Sequence, residues 1–504
     1  MKRIILFSII SVSVLGCNTA SKQDLKTQMG LSKDEYIDLK DKKIVEANRG
    51  FSKGVQKNKL RNGLRIVDYL IMDSHMIGLM TKPISSLSQL AAITRDTTYD
   101  VLTPNFLNFI RIQKEMIPAL AEGAGMDLVQ WEKTLDKMTG QKSSLGEIDF
   151  LIDGEKFFDR FIEEIESAQK SIKLRTFIFD NDDYAVKIAD LLKEKSKDKN
   201  IKIKILLEGA GVIMGEGDVP EDSPKDFIPP ESMPKYLKKN SNIKVRVRAN
   251  AWFKMDHVKT TIIDNKVCFL GGMNIGKEYR YEWHDLMMEV RGPIVNKIMR
   301  DFYSAWAHSS LFGDLAYLAN KLTKWKRLKE DEGYPIRLLY TRFNDFQIYR
   351  TQLAAIRNTK KYIYISNAYF SDNNILYELI RARRRGVDVR VILPVKGNHE
   401  IMNASNVVTA NILFKNGIRV FFYPGMSHVK AAIYDGWLCT GSANFDKLSL
   451  KNNLELNLAT SHRETVEILK KDLFEKDFAK SVEMNGLFES GFKNRIAEFL
   501  ADHL

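Results

Sequence analysis

The chain carries one spaced motif twice, and this repetition limits what it can fold into more than any other feature. The first copy is His257-Val258-Lys259, then Asp264, then Gly271-Gly272-Met273-Asn274. The second is His428-Val429-Lys430, then Asp435, then Gly441-Ser442-Ala443-Asn444. A lone H-x-K in a lysine-rich chain is usually a surface accident, but the same five-point pattern in matching places is not. On a strand, residues two apart face the same side, so each His and Lys converge on one spot. An apolar run follows (260–263 and 431–434), and then a pair suited to a tight hairpin, Asp264-Asn265 or Asp435-Gly436. The return strand brings its glycines back beside the His and Lys. There a backbone without side chains lets N–H groups approach a phosphate, and Asn274 or Asn444 adds an amide. Two copies would gather two His, two Lys and two Asn around one anion.

The surroundings repeat as well. Strand-like Ser171–Phe179, helix-like Tyr184–Lys195, strand-like Ile201–Leu207 and Ile243–Val247, and a hairpin over His257–Leu270 make the first series. Strand Tyr362–Ile365, helix Asn374–Arg385, strand Val387–Leu393, helix Val407–Lys415, strand Arg419–Tyr423 and hairpin His428–Thr440 make the second, roughly 170 to 190 residues on. Strands joined by helical crossovers predict an α/β sheet in each half. Residues 209–240 break the symmetry. They hold five of the chain's 12 prolines and are expected to be an irregular loop, either a lid or an inert excursion. The tail over Val466–Phe478 predicts an amphipathic helix with a basic face.

At 504 residues, two or three domains are expected. Residues 18–145 read as a mostly helical N-terminal region of no assigned role, with apolar spacing over Asn62–Met80 and Ala91–Leu107. The first half then spans 146–325 and the second 326–504. Residues 1–16 read as a signal peptide: Lys2 and Arg3, an apolar run, then Val14-Leu15-Gly16-Cys17, which is similar to a bacterial lipobox. Cys17 would be lipidated, giving an exported, membrane-anchored lipoprotein on a periplasmic or outer-surface face. No later run reaches the roughly 18 apolar residues of a spanning helix. The 77 Lys and Arg against 64 Asp and Glu give a net charge of +13, which favours anionic partners: a membrane surface, a phospholipid or nucleic acid. Cys268 and Cys439 are expected to be small core residues on equivalent strands, not a disulfide or metal set. His284, beside Trp283 and Asp285, is expected to pack structurally more than to touch substrate.

From about residue 145 to 485 the chain resembles the phospholipase D (H-K-D) superfamily. Gly271–Val295, Ala382–Pro394 and Gly441–Ala459 are similar to its bacterial cardiolipin synthase-like branch. The resemblance implies two duplicated phospholipase D-type α/β/α sandwich halves forming one active site. It implies covalent catalysis on a phosphodiester: one His attacks phosphorus to form a phosphohistidine, and the other protonates the leaving alkoxide and then activates water or an alcohol. Family usage makes His257 the expected nucleophile and His428 the acid–base. Lys259, Lys430, Asn274 and Asn444 would hold the non-bridging oxygens, while Glu289 and Glu455 would orient the imidazoles. Asp264 and Asp435, with Gly271, Gly272, Gly441 and Ser442, would shape the motif. Gly272 departs from the usual Ser. No metal and no cofactor is called for, since the lysines supply positive charge.

The expected substrate is therefore a phospholipid, met at a membrane through Cys17 and the basic surface, with hydrolysis and phosphatidyl transfer both open. A nuclease of the same superfamily is the alternative, and export argues against nucleic acid. A monomer is expected.

Overall fold

A computed structural model describes residues 65–66, 68–102, 112, 115–216, 223–224, 226–323, 333–397 and 400–488. The signal peptide, Cys17 and the segment before residue 65 lie outside the described residues. In the first half the strands are β1 (Ser144–Ile152), β2 (Ser171–Thr176), β3 (Lys202–Glu208), β4 (Lys244–Arg248), β5 (Thr260–Ile263), β6 (Val267–Gly271) and β7 (Leu286–Arg291). The second half has β8 (Tyr334–Arg342), the two-residue β9 (Asp345–Phe346), β10 (Tyr362–Asn367), β11 (Asp388–Pro394), β12 (Arg419–Tyr423), β13 (Lys430–Tyr434), β14 (Trp437–Gly441), β15 (Glu455–Thr460) and the short β16 (Val482–Glu483).

Spatially, β4-β3-β2-β5-β6-β7-β1 in the first half is matched by β12-β11-β10-β13-β14-β15-β8 in the second, and β1 pairs with β8 where the halves meet. Within each half, β2, β3 and β4, or β10, β11 and β12, run parallel with helical crossovers between them, and the motif hairpin adds antiparallel strands. The duplicated α/β architecture is therefore present, with a helical region before it.

The strands most central to each half are buried on both faces. Val267–Gly271 and Trp437–Gly441 have every residue buried, and Cys268 and Cys439 sit there as free thiols, which burial pushes above their ordinary pKa. Helix Asp153–Ser167 covers the first sheet with Phe157, Phe158, Phe161 and Ile165, three to four residues apart and buried. Asp182 and Asp372 accept from the N–H groups of Ala185 and Ile375, capping the helices that follow β2 and β10. The tail is one continuous helical run from Arg463 to Lys480 with a wider turn over Lys470–Glu475.

One expectation changes. The stretch 209–240 begins and ends in helix, Gly209–Gly215 and Met233–Lys238. Pro234 lies in the first turn of the latter, where a missing N–H costs nothing. At Gly211 an added Cβ would fall 1.7 Å from the Phe177 carbonyl oxygen, so that helix passes too close to the β2 loop for any side chain. The described part of the N-terminal region is mostly helical, as expected. Helices run over Ser74–Thr81, Pro83–Leu102 and Leu128–Thr139, but 116–126 forms an irregular strap on the second half. Its Ala121 N–H donates to Gly386 O at 2.8 Å, and Arg383 reaches Pro118 O at 2.8 Å. Helix Leu128–Thr139 then sets Trp131 edge-on against Trp437 at 5.3 Å.

Candidate active site

Each motif hairpin turns where the sequence places it, with Asp264, Asn265, Asp435 and Gly436 all at positive φ. The first turn has one extra residue, Lys266, between the paired ends Ile263 and Val267. The two motif aspartates face away from the histidines. Asp264 accepts N–H bonds from Gln169, Lys170 and Ser171, and Asp435 from Lys360, Lys361, Tyr362 and Met126. They fix the chain entering β2 and β10.

The histidines lie where the halves meet, each preceding the inner strand of its hairpin. The His257 N–H donates to Leu454 O at 3.0 Å, and the His428 N–H to His284 O at 2.7 Å. Each motif is thereby docked onto the residue that precedes a carboxylate of the opposite half. His257 Nδ1 lies 3.0 and 3.1 Å from the two oxygens of Glu455, and His428 Nδ1 lies 2.7 Å from Asp285 Oδ2. The first half supplies the carboxylate for the second half's imidazole, and the reverse. With Nδ1–H donated to a carboxylate, each ring keeps its Nε2 lone pair free.

Glu289 is the correction. It does not meet His428 but binds Arg160 at 3.0 Å and Arg291 at 2.8 Å. It sits four residues beyond Asp285 on the same strand face, about 13 Å further along. The spacing in the sequence carried the signal: Asp285 follows Asn274 by eleven residues, as Glu455 follows Asn444. The shorter carboxylate also accounts for Gly272. Ser442 Oγ donates to Glu455 Oε2 at 2.5 Å, whereas a Cβ on Gly272 would fall 2.3 Å from Asp285 Oδ1. Ser with Glu in one half is exchanged for Gly with Asp in the other.

Lys259 and Lys430 are buried, and each Nζ donates to the carbonyl oxygen of its own motif histidine. The asparagines differ. The Asn274 carbonyl oxygen accepts from Ile178 N–H at 3.0 Å and Thr176 Oγ at 3.2 Å, and its amide donates to Tyr279 Oη at 2.8 Å. The buried Asn444 Oδ1 has no hydrogen-bond partner. Aromatic rings wall the site: Phe177 is edge-on to His257 at 5.0 Å, and Trp283 lies 5.1 Å from His428. His284 packs structurally. It bridges Asp153 at 2.6 Å and Asp477 at 3.0 Å and stacks on Tyr423, and the two carboxylates overcome burial to raise its pKa to about 10.

Burial dominates the electrostatics. It pulls the Lys259 ammonium down to about 7 and the Lys430 ammonium to about 8, and repulsion from Lys430 adds to the shift on Lys259. His428 falls to about 3 through burial and then the charge of Lys430, with Lys259 contributing; His257 is lowered by burial, with both lysines adding. The four groups sense one another across the halves, which makes them one site. Both imidazoles are neutral near pH 7, and the positive charge is held in a dry place that an anion would stabilise.

Residues 161–306 and 353–478 match the family described as "Cardiolipin synthase, PLD-like domain". The chain belongs to that family. It is similar to a cardiolipin synthase of Clostridium perfringens, 28% identical over 329 residues, covering 62% of this chain and 66% of that protein. It is also similar to one of Listeria monocytogenes, 27% identical over 350 residues, covering 67% and 70%. The chain thus spans just under two thirds of the length of the first of these relatives. In fold it resembles the phosphatidylserine synthase of Haemophilus influenzae, with a TM-score of 0.56 at 13% identity, covering 74% of this chain and all of that one.

Two outcomes test the geometry. Asp285→Asn should lower kcat by roughly 10³–10⁴, as expected when an imidazole loses the carboxylate that fixes its tautomer, while Glu289→Gln should stay within about threefold. Steady-state rates that fall equally in both variants would return Glu289 to the site. Second, an anion entering the site favours protonated lysines and so raises their pKa. Above pH 7 to 8 the empty site lacks those protons, so binding must take them up, and affinity must fall as pH rises. Sulfate, whose charge is constant there, should bind up to about tenfold more weakly per pH unit between 7 and 9 for each proton linked. Calorimetry in buffers of different ionisation enthalpy should show about one proton taken up at pH 8 and little at pH 6. A flat profile would show that the lysines do not face the anion.

Proposed function

We propose that this protein is a metal-independent phosphodiester enzyme acting on phospholipids, either transferring a phosphatidyl group or hydrolysing it, through a phosphohistidine intermediate. The observation that carries this reading is the pair of carboxylate–imidazole contacts reaching across the halves, with both motif lysines buried beside them. A neutral imidazole with Nδ1–H held by a carboxylate is a nucleophile at Nε2. In the first step the His257 Nε2 lone pair forms the N–P bond, and the P–O bond to the leaving alkoxide breaks. His428, which must first take up a proton from solvent on Nε2 as the phosphodiester anion binds, delivers that proton to the leaving oxygen. In the second step His428 takes the proton of an alcohol or water as its oxygen attacks phosphorus, and the N–P bond breaks. In this reading Lys259 and Lys430 take the charge that grows on the non-bridging oxygens, and Asn444, whose side-chain oxygen is unpartnered, would turn its amide N–H toward them. The assignment of His257 as nucleophile follows family usage.

Family membership and the cardiolipin synthase relatives favour a phospholipid over nucleic acid. The positive net charge and the proposed anchor at Cys17 favour a membrane location. Among the described residues no group of three potential ligands gathers to hold a metal ion.

Purified protein should be incubated with phosphatidylglycerol, with phosphatidylcholine plus an alcohol, and with single-stranded DNA, each with and without chelator, and products followed by mass spectrometry. Turnover of a phospholipid that survives chelation is expected, with His257→Ala and His428→Ala each lowering it by at least about 10³-fold. His428→Ala given a phosphodiester with a phenolate leaving group, which departs without protonation, should accumulate a mass adduct on His257. Cleavage of DNA alone would replace the lipid reading with the nuclease one.

We further propose that Cys17 carries lipid and holds the protein on an exported membrane face. Cells fed labelled palmitate should label the wild-type protein and leave Cys17→Ser unlabelled; equal labelling would place any acyl chain elsewhere.

A further inference from the structure

Three adjacent helices, Ser74–Thr81, Pro83–Leu102 and Gly313–Leu322, wear their polarity inside out. Toward the protein they bury Ser74, Lys82, Ser86, Gln89 and Asp314. Outward they present large apolar side chains: Met76 (61% exposed), Met80 (78%), Ile84 (65%), Leu87 (60%), Phe312 (67%) and Leu315 (65%). A helix resting on a protein in water shows the opposite arrangement. Much of the polar inner face is bonded to the protein. Lys82 donates to Ala249 O and Asn250 Oδ1, Trp252 Nε1 to Ser86 O, and the Trp252 N–H to His75 Nε2. Asp314 accepts from the Ile84 N–H and the Ser85 hydroxyl, tying the third helix to the second. The orientation is therefore built in.

We propose that this face is a lipid-docking surface that seats the protein on the hydrocarbon boundary of a bilayer. The inference deepens the phospholipid reading above, because it places the enzyme on its substrate's surface. Four observations favour a membrane over a protein partner. Between Ser74 and Thr94 the sequence contains no acidic residue, and Asp314, the only carboxylate of Leu311–Leu322, is buried. The large apolar side chains that face outward are aliphatic or Met with one Phe, and over residues 74–95 and 311–322 Arg95 and the partly buried Tyr317 alone are of the Tyr, Trp and Arg types that anchor protein interfaces. Lys321 ends the third helix, and the sequence continues as Lys324-Trp325-Lys326-Arg327, a composition suited to anionic headgroups. Finally, the loop these helices grip, residues 249–254, ends two residues before the His257 motif, so the apolar face is mounted on the approach to the site. No described helix is long and apolar enough to cross a membrane, so the mode is interfacial.

The test uses the full chain carrying Cys17→Ser, which removes the lipid anchor and leaves Cys268 and Cys439 buried. An environment-sensitive fluorophore is placed at Met80→Cys, at Leu315→Cys and, as control, at the exposed Lys199→Cys. Vesicles of phosphatidylethanolamine and phosphatidylglycerol should shift the first two probes to the blue and leave the third unchanged. Met80→Glu with Leu315→Glu should weaken vesicle binding by roughly 100-fold while sparing turnover of a water-soluble short-chain phosphodiester. Probes indifferent to vesicles, probes shielded by self-association as protein concentration rises, or probes already shielded at low concentration without lipid would each overturn the proposal, the last two assigning the face to a second copy or to the chain's own remaining residues. Binding is read without turnover. Probes that respond in a protein inactive on every phospholipid would leave docking intact and remove the proposed reaction instead.

Discussion

The site depends on a buried carboxylate–imidazole hydrogen-bond geometry shared between the halves. Neither half holds a complete histidine–carboxylate pair; each contributes the carboxylate the other needs, at 2.7 and 3.0 Å. A carboxylate as buried as Asp285 or Glu455 is tolerable only with its hydrogen bonds made, and the imidazole of the other half is among the donors. The backbone bridges His257 to Leu454 and His428 to His284 hold the register at which this happens. Separating the halves would strand two carboxylates and expose two lysines at once. The catalytic arrangement and the cohesion of the halves therefore rest on the same contacts.

The duplication is close but not complete, and its departures fall at the site. Asp256, just before His257, is gripped by Arg175 at 2.6 Å and Arg248 at 2.7 Å, and its N–H donates to Glu208. The matching positions in the second half are Ser427 and Ser366, whose hydroxyls have no hydrogen-bond partner. Asn274 is consumed in holding the loop after β2, whereas Asn444 keeps an unpaired carbonyl. His257 thus stands on a rigid ionic platform, and His428 is packed among Trp283, Tyr279 and Tyr369. Two histidines that read alike in the motif occupy different environments, and such a difference would suit two groups with unlike roles.

Most of this was legible from residue spacing because the decisive constraints are local. His and Lys two apart on a strand, a turn pair, and glycines on the return strand define the hairpin without reference to the rest of the chain. The crossover strands were readable for the same reason, since their apolar runs are continuous. What was not legible depends on partners far away in sequence. The strands β1, β7, β8 and β15 join the halves, but their sequences carry no turn signal linking them. The family resemblance points to Glu289, whereas the equal eleven-residue interval after each motif Asn points to Asp285, and the difference matters because four residues along a strand are too far for a hydrogen bond. The inverted helices escaped as well. Apolar spacing marks a face but not which side of it the protein lies on.

The charge state of the empty site links these features. Burial and the nearby lysine charges keep the imidazoles neutral, and burial, with repulsion from Lys430 added at Lys259, brings the lysines close to losing protons near pH 7 to 8. The proposed reaction asks one histidine to be neutral for attack and the other to deliver a proton, and a site permanently charged enough for the second would block the first. An anion bound between the lysines would relieve that conflict, because its negative charge favours protonated lysines and raises the proton affinity of the imidazoles. The carboxylates on Nδ1 then leave Nε2 of each ring as the atom that gains or loses the proton.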